Sequence, residues 1–349
     1  MEPRTEPVAV DITELKTLSW VIEQAAGKKI VYVGEYHDRF SNHDVELQVI
    51  KDLFKKNPQI AIGMEMFQRP FQHLLDEYIG GAIHEREFLK RTEYFSRWGY
   101  DFNFYKPILD FARREKIPVV ALNARTEIIH KVAEGGLTSL SIEEKEEIPG
   151  QMDLSDNTYR ARLKRVFEKH KHFEEKNFVF FYEAQVLWDE TMALSVDEYL
   201  RKNPLRQMIV VAGSGHLAYG SGIPKRAFRR SGHEYVTILS DADVDHGIAD
   251  YLLFPKAREG VTAPVLMAVL KEQDNKVVIT DFPADSPSGK AGLRVGDTIL
   301  NVGGSQIRTI DDIKIELLYK QHGESVKVKV MRKRFLLRNS KLEFDVSLT

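Results

Sequence analysis

The chain of 349 residues contains no cysteine. That excludes disulfides, thiolate metal sites, cysteine nucleophiles and haem attachment through a Cys-x-x-Cys-His motif. Any metal must be held by nitrogen and oxygen. Long apolar runs are missing too: no stretch approaches the ~18 apolar residues of a membrane helix. The start, Met1 to Val10, carries Glu2, Pro3, Arg4, Glu6 and Pro7 and has no apolar h-region, so no signal peptide is visible. An excess of one charge is also lacking. A formal net charge of -2 at pH 7 gives no long-range attraction for nucleic acid. The basic stretch Arg160 to Lys171 alternates with apolar residues at helical spacing, the pattern of a solvated helix face. No nucleic-acid partner is expected.

What is present is an ordinary globular composition, 43% hydrophobic and 29% charged, enough for a sizeable core and a second domain. Runs Lys29 to Val33, Ile60 to Ile62 and Met208 to Val211 are too continuously apolar for a half-exposed antiparallel edge, and imply a buried parallel sheet. Each is followed by a short polar segment: Gly34-Glu35-Tyr36-His37, Gly63-Met64-Glu65-Met66 and Gly213-Ser214-Gly215-His216-Leu217. In open α/β sheets ligands collect beyond the carboxyl ends of the strands. Glu35, His37, Glu65 and His216 are therefore expected to share one site.

Between the first two strands, Asn42 to Lys56 places Leu47, Ile50, Leu53 and Phe54 on one side, an amphipathic helix ended by Asn57-Pro58. Helices are expected at Pro70 to Tyr78, Glu85 to Tyr94, Tyr105 to Lys116, Arg125 to Ala133 and Tyr159 to His170, with a strand at Pro118 to Leu122 and a polar loop at Glu143 to Ser155. The segment Val179 to Leu200 reads as a long helix on which Tyr182, Gln185, Trp188, Asp189 and Met192 share a face. Gln and Asp on such a stripe need partners, from backbone or from a site they organise. Pro255 to Gly260 resembles a linker, and beyond it short alternating strands replace the long helices. The expected domains are 1–256, α/β with a mostly parallel sheet flanked by helices, and 257–349, small and mostly β.

In the second domain, Ser286-Pro287-Ser288-Gly289-Lys290-Ala291-Gly292-Leu293-Arg294-Val295-Gly296-Asp297-Thr298-Ile299-Leu300 closely resembles the bacterial type of PDZ domain. Gly292 suits a left-handed helix end and Gly296-Asp297 a tight turn into a strand. The resemblance implies capture of an extended peptide or protein C-terminus beside a strand at about Leu266 to Leu270. The segment Thr262-Ala263-Pro264-Val265 lacks the family's Gly-Leu-Gly-Phe-like loop, and Pro264 has no amide to donate, which predicts weak capture.

From about Ile30 to Phe254 the chain resembles the ChaN-like family of iron-regulated haem-binding lipoproteins, in the superfamily of Tiki-type metalloproteases and erythromycin esterases. The blocks that carry the resemblance are Gly34-Glu35-Tyr36-His37-Asp38, Gly63-Met64-Glu65-Met66-Phe67-Gln68-Arg69-Pro70, Trp98, Tyr105, Asn123, Ala184-Gln185, Trp188-Asp189, Met192-Ala193, and Gly213 to Leu217 followed by Gly222-Ile223-Pro224. It implies haem binding, with Tyr36, Tyr182, His37 and His216 as candidate axial ligands, Gln185, Trp188 and Asp189 beside them, and two protomers enclosing the cofactors. It also implies a role in bacterial iron acquisition in the cell envelope, from a lipid-anchored precursor. The hydrolytic relatives imply an alternative, in which Glu35, His37, Glu65 and His216 hold Zn or Mn or activate water directly, with Glu35 or Glu65 as general base.

Other motifs lead nowhere. Gly213-x-Gly215-x-x-Ala218 mimics a dinucleotide fingerprint, but Gly220, Gly222 and Pro224 break the helix that would receive the pyrophosphate. His84-Glu85 is followed by Phe88 where a zincin requires its second His, and Ser214 is one place off a nucleophile elbow.

Overall fold

The computed structural model describes residues 9–169, 177–334 and 337–349. The opening residues Met1 to Val8, and His170 and Lys171 of the basic stretch, lie outside the described residues. Two compact units emerge, one from Met1–Ala82 with Phe104–Glu259, the other from Ile83–Asn103 with Gly260–Thr349.

The first unit is built on a six-stranded sheet of β1 (Ile30–Glu35), β2 (Ile60–Gln68), β3 (Val119–Asn123), β4 (Gln207–Gly213), β5 (Tyr235–Ser240) and β6 (Tyr251–Leu253), in the order β3-β2-β4-β1-β5-β6. Every pairing is parallel. All positions of β1, β2 and β4 are buried, as expected when helices cover both faces. β4 comes late in the chain yet lies between β1 and β2, so three polar strand ends from distant sequence become neighbours. Glu35 on β1 stands opposite Gly213 on β4.

The helices in chain order are α1 (Leu18–Ala25), α2 (Phe40–Lys56), α3 (Gln72–Gly80), α4 (Glu85–Arg91), α5 (Tyr94–Arg97), α6 (Lys106–Glu115), α7 (Thr126–Gly135), α8 (Ile142–Glu146), α9 (Asn157–Lys169), α10 (Phe178–Lys202), α11 (Ser214–Leu217) and α12 (Ile223–Ser231). Met192, Val196 and Leu200 of α10 and Ile223 of α12 pack on Tyr32, Met208 and Val210 of the sheet. The α8 helix departs from the expected loop at Glu143 to Ser155. Ser141 and Glu144 form a reciprocal capping box, which satisfies its first amides and starts a turn of helix in a polar stretch.

In the second unit the sheet is antiparallel, in the order β12-β11-β9-β8-β7 with β10 on β9. The strands are β7 (Val269–Gln273), β8 (Lys276–Asp281), β9 (Thr298–Val302), β10 (Ser305–Gln306), β11 (Ser325–Arg334) and β12 (Leu337–Ser347), with helices α13 (Pro287–Lys290) and α14 (Ile310–Leu317). Its core joins Leu266, Val277, Ile299, Ile313, Leu317 and Val328. Asp274 and Asn275, both at positive φ, make the two-residue turn between β7 and β8. The ladder starts at Val269, later than the strand expected at about Leu266 to Leu270. Met267 sits at φ 46°, and Ser286 and Ser288 hydroxyls bond the carbonyls of Met267 and Leu266, so the segment before Val269 cannot continue the pairing.

Residues 83–103, read from sequence as part of a run of first-domain helices, cluster with the second unit. Helices α4 and α5 pack against α14. Their charged residues alone gave no sign of which apolar surface they would meet.

Candidate functional site

At the carboxyl edge of the parallel sheet, the ends of β1, β2 and β4 bring together Glu35, His37, Glu65 and His216. Glu35 ends β1 with its side chain fully buried. Its Oε1 pairs with His37 Nδ1, and its Oε2 is buried with no partner among the described residues. His37 lies over Gly213, where a Cβ would come within 2.8 Å of the imidazole Cε1. Glycine at the end of β4 lets that ring sit there without shifting.

Glu65, from β2, is buried and accepts the Gly213 amide at 2.7 Å through Oε2. Its Oε1 lies 3.3 Å from His216 Nε2. His216 follows β4 on the short α11, and its Nδ1 donates to Asp189 Oδ1 of α10 at 2.7 Å. The Gln185 amide lies 3.3 Å from the same nitrogen and the Trp188 ring meets the imidazole edge-on at 5.2 Å. The expected face of α10 thus serves His216. Tyr159 of α9 completes this line by donating its hydroxyl to Asp189 Oδ2. Behind it, Gly222 passes so close that a Cβ would stand 2.0 Å from the His216 carbonyl oxygen.

A second buried pair lies behind Glu35. His43 and Glu46 of α2 bond at 2.8 Å, and His43 Nε2 reaches the His37 carbonyl at 3.2 Å. Glu46 Oε1, like Glu35 Oε2, has no partner among the described residues. Neither His43 nor Glu46 was singled out from sequence. The signal was there: Asn42, His43 and Glu46 occupy the first turns of the face on which α2 buries Val49, Ile50 and Leu53. Tyr159 gave no comparable sign, because nothing in its own helix distinguishes it from a core aromatic.

These surroundings push the titrations apart. Burial raises Glu35 to about 7, against the lowering effect of the His37 hydrogen bond. Burial raises Glu46 well above the carboxylate range. Glu65 is also buried, but the positive charge and hydrogen bond of His216 outweigh burial and hold it below its ordinary value. His216 is raised to about 10, since the Glu65 charge and the Asp189 hydrogen bond overcome the opposing effect of burial. His37 is raised as well, burial being outweighed by Glu35. The result is a Glu65 and His216 pair held toward its charged form beside a Glu35 pushed toward its neutral form.

That chemistry sorts the candidate ligands. His216 has a carboxylate at each ring nitrogen, Glu65 at Nε2 and Asp189 at Nδ1, so neither nitrogen is open to iron or zinc. Tyr182 is buried, and its hydroxyl donates to the Leu154 carbonyl at 3.0 Å. Tyr36 is 39% exposed, with the Arg39 guanidinium 4.2 Å from its ring centroid. His37, 23% exposed at its side chain, is the next residue. An oxygen donor on an open surface with an imidazole beside it fits a haem iron. For Zn or Mn the arrangement is less suited: among the described residues no group of three or more His, Asp or Glu is placed to hold an ion. The four strand-end groups pair with one another instead, Glu35 with His37 and Glu65 with His216.

The family of haem-binding uptake proteins of the Tiki superfamily, ChaN, matches residues 21–227, and the PDZ domain family matches residues 264–348. No curated protein matches the sequence. Among solved structures, ChaN of Campylobacter jejuni, described with cofacial haem binding, is 18% identical with a TM-score of 0.57, over 69% of this chain and 93% of that one. At that identity the likeness speaks for the fold. An erythromycin esterase mutant, EreC in its open conformation, is 19% identical with a TM-score of 0.38, over 64% of this chain and 71% of that one. The PDZ domain of a carboxy-terminal protease from Vibrio cholerae, in complex with peptide, is 21% identical with a TM-score of 0.21, over 25% of this chain and 96% of that one. Matched over more than half its length, the chain belongs to the ChaN haem-binding uptake family of the Tiki superfamily and carries a PDZ domain after it.

Proposed function

We propose that the first unit takes up haem at the mouth formed by Tyr36 and His37, in the service of bacterial iron acquisition. The observation that carries the reading is the exposed Tyr36 phenol under the Arg39 guanidinium, immediately beside His37. Haem would bring a ferric iron that takes an anionic oxygen or an imidazole as ligand. Tyr36 would supply that oxygen, with the Arg39 guanidinium packed on its ring. His37, anchored by Glu35 and seated on Gly213, would lie beside the ring with its orientation fixed. The ion pairs behind it would keep the strand ends rigid. Placement of the natural protein in the cell envelope, and enclosure of haem between two copies, belong to the same proposal and rest on the family.

Haemin titration tests it. A saturable Soret change is expected, with at least about tenfold weaker binding for Tyr36→Phe, the effect of losing roughly 1.4 kcal/mol. Equal affinity for Tyr36→Phe and His37→Ala would place haem elsewhere.

One observation favours a second reading, hydrolysis. Burial pushes Glu35 up to about 7, and its buried Oε2 has no partner among the described residues, the setting of a general base, and Glu65 and His216 beside it could polarise a carbonyl. Ester or amide turnover that Glu35→Gln abolishes would support it, and the same turnover in Glu35→Gln would dismiss it.

A further inference from the structure

The loop that ought to receive a peptide carboxylate in the second unit already holds one. Among Thr262, Ala263, Pro264 and Val265, Pro264 has no N–H, and the Val265 amide donates to the Thr349 carbonyl at 2.8 Å. The Ala263 amide donates to Asp101 Oδ2 at 2.5 Å. Asp101 is fixed for this task, since its Oδ1 accepts the Asn103 amide at 2.8 Å, while the Asn103 side chain reaches the Val261 carbonyl at 3.4 Å. Phe95, Gly99 and Asp101 close one side of a cavity of about 150 Å³ whose other side is Pro264, Lys314 and Leu317. In a PDZ domain that is the end of the groove where a terminal carboxylate and its side chain enter.

The rest of the segment is anchored on α14. Ile313 and Leu317 face the core of the unit. The acidic side of the helix meets α4 and α5: Arg86 bonds Glu316 at 2.9 Å, Lys90 bonds Asp312 at 2.7 Å, and the Ser96 amide and hydroxyl both reach Asp311 Oδ2 at 3.2 Å. Lys314 lies 5.5 Å from the Phe95 ring centroid, and Arg86 4.8 Å from that of Tyr319. Charge complementarity and a carboxylate in the loop are the features by which such a groove would recognise a foreign C-terminus.

We infer that residues 83–103 are the built-in ligand of the PDZ domain, with Asp101 standing in for a peptide's terminal carboxylate. An outside peptide with a free C-terminus must displace Asp101 to enter. The weak capture expected from Pro264 alone thereby acquires a second cause, one that a conformational change could remove. The domain is a clasp on its own chain first and a peptide receptor only when opened.

Fluorescence polarisation with a pool of peptides bearing free C-termini, and with the same pool amidated, tests this on the full chain. A charged hydrogen bond is worth about tenfold in affinity. Asp101→Ala, and separately Arg86→Ala with Lys90→Ala, should each bind the free-carboxylate pool about tenfold more tightly than the parent, with no gain for the amidated pool. Parent affinity equal to that of both variants, or no gain in either, overturns the inference. Hydrogen exchange at the Ala263 amide of the unaltered chain, which needs no variant to fold, gives the second reading: slow exchange is expected, and exchange at the rate of an open loop overturns it.

Discussion

The strand-end cluster of the first unit and the carboxylate loop of the second treat their polar groups in opposite ways. In the cluster, Glu35 Oε2 and Glu46 Oε1 are buried without partners among the described residues, Glu35 and His216 are pushed up to about 7 and about 10, and Glu65 is held below its ordinary value. In the loop, the amides of Ala263 and Val265 are already bonded, one to Asp101 and one to Thr349. A buried polar group without a partner costs free energy and persists in a fold where a function requires it. A group bonded within its own chain offers nothing to a ligand until that bond opens. The first region is thus held ready, and the second is closed.

The sharpest way to break the comparison is to remove a charge from the first region. Asp189→Ala should destabilise the protein by about 3–5 kcal/mol, because it removes one of the two carboxylates that hold the buried His216 and leaves the Tyr159 hydroxyl without its acceptor. Urea denaturation would measure it, and a loss below about 1 kcal/mol would mean that His216 is not charged in the folded protein. The same pair sets a pH dependence. His216 is raised to about 10 from an unfolded value near 6.5, so its contribution is complete below about pH 6.5 and is lost as pH rises through about 10.

Glu35 gives the next effect. Raised to about 7 from 4.5, it contributes stability that is complete below about pH 4.5 and is lost as pH rises through about 7, a change on the order of 3 kcal/mol. Glu35→Gln should remove that slope and leave the protein more stable at pH 8 than the parent. An unchanged slope would assign the orphaned oxygen to ordinary hydration.

How much of this was legible in the sequence follows from what each signal is made of. The parallel strands showed as continuous apolar runs, and the four site residues showed because each falls at a strand end, a position fixed by local sequence. The Asp189 partner of His216 showed as a polar break in an apolar stripe. Tyr159 and the Glu46 pair behind Glu35 were hidden because their roles depend on which helix packs where, which periodicity does not encode. The seat of residues 83–103 on α14 was hidden for the same reason. Arg86, Lys90 and Asp101 look like surface charges until the acidic side of α14 and the Ala263 amide meet them.

Smaller effects sharpen the comparison. Gly213→Ala should move His37 off its seat, since the added Cβ meets the imidazole Cε1 at 2.8 Å and Nε2 at 3.0 Å. The side chain can give way, so the stability loss should be about 1 kcal/mol, while haem affinity falls further. Haem affinity equal to the parent would remove His37 from the site. In the second unit, Asp101→Asn should cost under about 1 kcal/mol of stability, as expected of one bond at a partly exposed loop. A loss as large as that of Asp189→Ala would make the clasp part of the folding core and end the contrast between the two regions.

The measurement closest to the central claim is the resonance Raman spectrum of the full chain loaded with one equivalent of haemin, recorded beside that of Tyr36→Phe. An iron–phenolate signature in the parent that disappears in Tyr36→Phe is the predicted result. Identical spectra for the two proteins, or an iron ligated only by water in the parent, would contradict it.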